Sequence, residues 1–148
     1  MIIFTIIFMA LAYVLGSLSS AVLTARLMQL PDPRTEGSQN PGATNMLRIG
    51  GKNAAALCLL GDILKGFIAV LLAKILGLSI GALGWVALAA VAGHMFPVFF
   101  QFKGGKGIAT LFGAIFAISL YLGILCLIIW IAVAGITRFS SLASLSAT

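Results

Sequence analysis

The sequence predicts an all-α protein, a polytopic membrane helix bundle of about five membrane segments with its N-terminus outside. Of the 148 residues, 61% are hydrophobic and only 8% are charged, whereas soluble domains carry about 25% charged residues. The apolar residues fall in runs long enough to cross a bilayer, which takes about 20 residues of helix. The basic residues lie between these runs, a distribution typical of cytoplasmic loops.

The pattern indicates a single membrane domain over residues 1–148. The first apolar run has no basic residues before it and no cleavage site after it, so it is typical of a membrane helix rather than a signal peptide. A proline- and glycine-rich segment without apolar periodicity then follows. We expect spans at about 2–28, 54–78, 80–100, 107–120 and 123–137, cytoplasmic loops at 31–53 and 101–106, and a cytoplasmic tail at 138–148.

The uncharged stretch between Gly107 and Thr137 is too long for one upright helix. It forms either one tilted helix or two short helices that turn near Ser119 to Gly123. The basic residues of the first loop place that loop in the cytoplasm. A hairpin would return Arg138 to the same side, so the positive-inside rule favours two helices.

The composition excludes several classes of function. With three acidic residues, one histidine and two cysteines, the sequence predicts no metal centre and no cofactor. The net charge of +6 comes from cations scattered between apolar runs, which favours the lipid bilayer and an anionic ligand as partners rather than nucleic acid.

The first loop has the residues of a phosphate cradle. Its glycines allow close approach of the backbone to a ligand, and a helix beginning near Ala43 or Thr44 would add its free N–H groups. Arg48 would then lie about one turn inside that helix, where its guanidinium can bind phosphate in a bidentate manner. The alternative is a flexible polar linker that turns at Asn40-Pro41-Gly42.

The second loop repeats this composition. Lys103, Gly104, Gly105, Lys106 and Gly107 precede a predicted helix start. The pattern G-x-x-x-x-G-K-[ST] is absent, so nucleotide hydrolysis is not indicated. The loop is either an anion cradle closed by lysine or a glycine turn between two lysines at helix ends.

Three polar residues fall within the apolar runs. Asp62 and Lys65 are spaced i, i+3, so they are expected to pair on one helix face. His94 lies near the end of a predicted helix with no carboxylate nearby in the sequence. It is either a general base or, more commonly for such a histidine, a hydrogen-bond donor at the helix end.

Two phosphate cradles beside hydrocarbon suggest a ligand with both a phosphate and a fatty chain. The sequence also contains four longer motifs: GSLSSAVL at Gly16–Leu23, D-P-R-x-x-G-S-x-N-P-G-A-T-N-x-x-R at Asp32–Arg48, GDILKG at Gly61–Gly66 and HMFPVFFQFKGGKGIAT at His94–Thr110. In this order they closely resemble the PlsY-type acyl-phosphate:glycerol-3-phosphate acyltransferases of bacteria. SSLAS at Ser140–Ser144 resembles a further serine pair of that family.

The resemblance implies a multi-pass protein of the bacterial inner membrane that takes part in phospholipid biosynthesis. It implies transfer of a fatty acyl group from acyl phosphate to the 1-hydroxyl of sn-glycerol 3-phosphate, giving lysophosphatidic acid and phosphate, and a functional link to the enzyme that makes acyl phosphate from acyl carrier protein. No residue is expected as a covalent nucleophile, and His94, Asp62 and Lys65 are candidates for a supporting role. The residues expected to bind phosphate or substrate are Ser38, Asn40, Gly42, Thr44, Asn45, Arg48, Lys103, Gly104, Lys106, Ser140 and Ser141.

Members of that family continue past the serine pair into further helices and a motif containing histidine and asparagine, so the resemblance implies a chain shortened at its C-terminus. Two other functions fit the same cradles. The chain could be a membrane carrier or binding protein for an organic phosphate, or an inactive fragment of the acyltransferase.

Overall fold

The computed structural model describes residues 2–137 and 146–147 and confirms an all-α fold, with no strand in those residues. Four described segments are long and apolar enough to cross a membrane: Ile2–Leu27, Ala43–Ile75, Ile80–Phe100 and Leu120–Thr137. The helices are α1 (Ile2–Gly16), α2 (Ser20–Leu27), α3 (Ala43–Ile75), α4 (Ile80–Met95), α5 (Ile108–Ile118) and α6 (Leu120–Thr137), with a short 3₁₀ turn at Val98–Phe100.

The first predicted span is divided into two helices. The segment from Ser17 to Ser19 separates α1 from α2. The side chains of its two serines form hydrogen bonds with backbone groups. The Ser17 hydroxyl donates to the carbonyl of Tyr13 at 2.8 Å, and the Ser19 side chain caps α2 by accepting from the Val22 N–H at 3.4 Å. Serine side chains of this kind compete with a continuous helix.

The first loop is shorter than the predicted 31–53, because α3 begins at Ala43, where the sequence had indicated a possible helix start. Gly51 has a φ of 76° and interrupts α3 with a kink. Only glycine adopts that conformation readily. A helical segment of eight residues, 43–50, therefore precedes the apolar part of α3.

The stretch from Gly107 to Thr137 forms two helices. Ser119, with extended backbone, separates α5 from α6. The Lys74 ammonium donates to the carbonyls of Ala117 at 3.0 Å and Ile118 at 2.9 Å. These contacts satisfy carbonyls at the end of α5 that have no partner within the helix.

Glycines allow the helices to pack closely. A Cβ on Gly66 would overlap the carbonyl oxygen of Thr110, so α3 and α5 touch through their backbones. Lys74, near the end of α3, reaches Ala117 near the end of α5. The two helices therefore run in the same direction.

Both polar loops consequently lie at one end of the bundle. The N-termini of α3 and α5 each follow a loop, the first at 28–42 and the second at 96–107. Small residues at such interfaces are the usual means by which membrane helices approach each other. The packing of the apolar helices thus brings together two loops that are far apart in the sequence.

Candidate functional site

The two loops contact each other directly. The Pro41 carbonyl oxygen of the first loop lies 2.9 Å from the position that a Cβ on Gly105 would occupy. The Arg34 guanidinium donates to the Phe100 carbonyl at 3.4 Å. The predicted cradles therefore form one continuous surface.

Arg34 is part of a brace between the loops. Its guanidinium binds both oxygens of Asp32, with Nη2–Oδ2 at 2.6 Å and Nε–Oδ1 at 3.0 Å. The guanidinium carbons of Arg34 and Arg26 lie 5.8 and 6.0 Å from the centre of the buried Phe100 ring, within cation–π range. Because Asp32 and Phe100 already bind Arg34, its charge serves to dock the second loop.

We expect Asp32→Asn to loosen this brace. The hydrogen bonds from the Arg34 side chain lower the pKa of Asp32. The pair is therefore complete above the usual aspartate range and is lost only as the pH falls through the lowered value. At neutral pH the variant should show severalfold faster tryptic cleavage after Arg34, followed by mass spectrometry. Glu36→Gln, at an exposed acidic residue of the same loop, is the control, and equal acceleration by it would contradict the brace.

Asn45 shapes the first loop from inside. Its side chain is fully buried, and its Nδ2 donates to the carbonyls of Pro33 at 2.9 Å and Glu36 at 3.0 Å. Its Oδ1 accepts from the Ser38 N–H at 2.8 Å. Both donors and one acceptor position are therefore used by the loop, so Asn45 supports the residues that face solvent.

Two helix N-termini without side-chain caps lie beside this surface. Gly42 is the N-cap of α3 and Gly107 that of α5, and neither supplies a capping side chain. The contact between Pro41 and Gly105 brings the two ends close together. The first N–H groups of a helix lack partners within it and carry partial positive charge, so each end favours an anion.

Three cationic residues belong to the segments next to these helix ends. The side chains of Arg48, Lys103 and Lys106 are exposed, and none of the three makes a hydrogen bond or an ion pair with the described residues. Ser38 and Thr44 are also exposed, whereas Asn40, Gly42 and Gly104 are half-buried. These groups resemble an anion-binding surface rather than a linker, because their donors are left open while the loop backbone is well braced.

A second polar cluster is buried among α3 and α4. Lys65 Nζ lies 2.9 Å from Asp62 Oδ1 and donates to the Leu18 carbonyl at 2.8 Å. His94 Nδ1 lies 3.4 Å from the same Asp62 oxygen. Asp62 Oδ1 has no aligned hydrogen bond with a described residue, so these contacts are electrostatic, while the Cys58 thiol lies 3.7 Å from Asp62 Oδ2.

The cluster contains the predicted ion pair and corrects one expectation. The sequence showed no carboxylate near His94, yet helix packing places Asp62 against it. No local signal could have shown this, because the two residues belong to different helices.

The described residues contain no group of three His, Cys, Asp or Glu side chains able to hold a metal ion. Arg138, Ser140 and Ser141 lie outside the described residues.

An apolar groove lies between α4 and α5. Its volume is about 380 Å³, and its walls include Trp85 and Leu88 of α4 and Leu111 and Ile118 of α5. Leu111 is only one turn from the N-terminus of α5. The groove therefore extends along the apolar helices from near the anion-binding surface.

Comparison with known proteins gives consistent matches over nearly the whole chain. The family model "Glycerol-3-phosphate acyltransferase" matches residues 6–148. A glycerol-3-phosphate acyltransferase of Coxiella burnetii is 54% identical over 140 residues, covering 95% of this chain and 72% of the relative. One of Methylococcus capsulatus is 54% identical over 136 residues, covering 92% and 69%.

Two solved structures are also similar. The glycerol 3-phosphate form of PlsY (YgiH), an integral membrane glycerol 3-phosphate acyltransferase, has a TM-score of 0.88 and 41% identity. The match covers 97% of this chain and 72% of that one. The lysophosphatidic acid form has a TM-score of 0.86 and 40% identity, covering 97% and 71%.

Proposed function

Because the chain belongs to the glycerol-3-phosphate acyltransferase family, we propose that it takes its acyl group from an acyl phosphate and transfers it directly to the 1-hydroxyl of sn-glycerol 3-phosphate. The products are lysophosphatidic acid and inorganic phosphate. The observation that carries the proposal is the pair of adjacent, uncapped helix N-termini, with exposed cations in the segments next to them. Both substrates are phosphate esters or anhydrides, and this surface provides for more than one phosphate charge.

The open groups of the two loops bind the phosphates. Arg48 provides a bidentate guanidinium, and Lys103 and Lys106 provide ammonium groups. Thr44, in the first turn of α3, adds a hydroxyl next to the helix N–H groups. Ser38, Asn40, Gly42 and Gly104 complete the first and second loops, with Ser140 and Ser141 as further candidates.

The chemistry needs no nucleophile from the protein. An acyl phosphate is a mixed anhydride, so the hydroxyl of glycerol 3-phosphate attacks its carbonyl carbon, the carbonyl C–O bond to phosphate breaks, and phosphate leaves. A phosphate oxygen accepts the hydroxyl proton. The cations stabilise the negative charge that develops on the leaving group. Binding both substrates side by side provides the rest of the rate enhancement.

The donor's fatty chain reaches the site from the bilayer. The groove between α4 and α5 is lined by apolar residues and begins near the N-terminus of α5. A chain bound there would place its polar end at the two loops. We further propose that the donor is supplied by the class of enzyme that converts acyl carrier protein thioesters into acyl phosphates.

Direct transfer predicts that no acylated protein forms. Cys58 is buried beside Asp62, and Ser38 is exposed without a general base among its described contacts, so neither is activated as a nucleophile. Incubation with radiolabelled acyl phosphate alone, then acid quenching and a denaturing gel, should leave the protein unlabelled. With glycerol 3-phosphate added, the label should appear in lysophosphatidic acid.

Other results would identify other functions. A hydroxylamine-sensitive acyl-protein that discharges to glycerol 3-phosphate would overturn direct transfer. Binding of glycerol 3-phosphate without consumption of acyl phosphate would indicate a carrier or binding protein.

The positive-inside rule further predicts that both loops lie on the cytoplasmic side of a bacterial inner membrane. Single cysteines at Gln39 and Gln101, in a background lacking Cys58 and Cys126, should resist an impermeant thiol reagent in intact cells and react after lysis. The same is expected at Ser144. Labelling of either loop position in intact cells would reverse the proposed orientation.

A further inference from the structure

The buried cluster of Asp62, Lys65 and His94 lies directly beneath the phosphate surface, and the chemistry proposed above does not use it. Their relative exposures are 2%, 5% and 6%. Ionisable groups inside a membrane bundle are costly to bury, and an apolar set of similar volume packs at no such cost. Their presence therefore calls for a role beyond filling the core.

His94 joins this cluster to the second loop. Its Nδ1 lies 3.4 Å from Asp62 Oδ1, and its carbonyl accepts from the Gly105 N–H at 3.2 Å. Its Nε2 faces Gly105 so closely that a Cβ at that position would overlap it. The Nδ1 edge of the ring thus faces the buried Asp62, while the Nε2 edge faces Gly105 of the second loop.

Gly105 is enclosed from two sides. The His94 imidazole lies on one side, and the Pro41 carbonyl of the first loop lies on the other, 2.9 Å from the position of a Cβ. The next residue is Lys106, and α5 begins two residues later at Ile108. The position of Gly105 therefore sets how far the two helix N-termini lie from each other.

We propose that His94 is a positioning residue of the phosphate site. Asp62, paired with Lys65, orients the imidazole, and the Nε2 edge of the ring supports Gly105 and thereby places Lys106 and the N-terminus of α5. The identity of the anion rests on the proposed function, but the placement of the loop does not. His94 itself touches neither substrate.

A double-substitution comparison tests this contact. His94→Ala should weaken binding of radiolabelled glycerol 3-phosphate about tenfold, the effect of losing one contact to a charged group. Gly105→Ala should weaken it similarly. The tightest overlap of the new methyl group is with the His94 ring, while its contact with the Pro41 carbonyl oxygen at 2.9 Å remains in either background. Gly105→Ala should therefore weaken binding less in the His94→Ala background than in the wild type.

Gly104→Ala provides the matched control. A Cβ on Gly104 would overlap the backbone carbonyls of His94 and Met95, and truncating the His94 side chain does not remove these. The effects of Gly104→Ala and His94→Ala on the dissociation constant should therefore add. If the Gly105 pair is also additive, the proposed support by the ring is wrong.

A second variant tests the part played by Asp62. Asp62→Asn combined with Lys65→Met removes both charges together, so neither is left buried and unpaired. It should reproduce the weaker binding of His94→Ala while the amount of folded protein stays the same. Unchanged binding would show that Asp62 does not orient the ring.

Tryptic cleavage after Lys106, with cleavage after exposed Lys52 as reference, reports loop position without any substrate. It should be severalfold faster in His94→Ala than in the wild type. Faster cleavage together with a wild-type chain that does not bind glycerol 3-phosphate would uphold the positioning role and reject the proposed function. Unchanged cleavage and unchanged glycerol 3-phosphate binding would reject the positioning role alone.

Discussion

Replacing Arg48 by lysine should raise the KM for glycerol 3-phosphate or for acyl phosphate by about 10- to 100-fold. Arg48 lies in the segment 43–50, and its exposed side chain has no partner among the described residues. A charge-assisted hydrogen bond contributes about 1.5–3 kcal/mol, and an ammonium group cannot reproduce the bidentate geometry of a guanidinium. Arg48→Ala should lose at least as much.

Lys52 is the matched control for Arg48. It is also exposed and basic, but it follows the kink at Gly51 and so lies beyond the segment that forms the site. Lys52→Gln should change either KM by less than about twofold, as expected for a surface charge. Wild-type kinetics in Arg48→Lys, or an equal loss in Lys52→Gln, would contradict a specific role for the guanidinium.

Gly66→Ala should destabilise the bundle by about 3 kcal/mol, at the upper end of what overpacking usually costs. A Cβ at this position would overlap the Thr110 carbonyl oxygen, and backbone atoms cannot rotate away as a side chain can. The overlap forces α3 and α5 apart. Because α5 begins at the second loop, glycerol 3-phosphate binding should weaken with the loss of stability, which thermal unfolding in detergent would measure.

Two further substitutions distinguish the effect of overlap at the helix interface from the general effect of replacing a glycine by alanine. Gly113→Ala lies in the same interface, where a Cβ would overlap the Ile63 carbonyl oxygen, and should have a similar effect. Gly135→Ala in α6 has nothing within 4 Å of the added Cβ and should be neutral or stabilising by about 0.5–1 kcal/mol, since alanine favours helix more than glycine does. An unchanged unfolding temperature in Gly66→Ala would show that α3 and α5 are not in close contact.

The membrane architecture follows largely from the sequence. Partition into a bilayer depends on the hydrophobicity of windows of about 20 residues, and this property is local. The all-α class, the approximate apolar runs and the two polar loops are therefore readable from the residues alone. The motif strings at Asp32–Arg48 and His94–Thr110 were also sufficient to indicate the family that the comparisons then showed.

The breaks within these helices were less accessible to sequence analysis. The interruption at Ser17 to Ser19 lies inside a run that hydropathy treats as continuous. Gly51 permits the kink in α3 but does not require it, because glycine also occurs within regular helices. Each break depends on neighbouring hydrogen bonds and packing as well as on the residue itself.

What the sequence determined by itself was the chemical content of the site: glycines, cations and amides in two loops beside hydrocarbon. Only the tertiary structure decided which of these residues hold the loops and which remain available to a ligand. An amide and a guanidinium can both bind phosphate, yet the polar groups of Asn45 and Arg34 are used by contacts within the loops. The guanidinium of Arg48 has no such contact. His94 and Asp62 meet because small residues let helices approach closely, and such pairings depend on which helix faces pack together, a property that no local stretch of sequence contains.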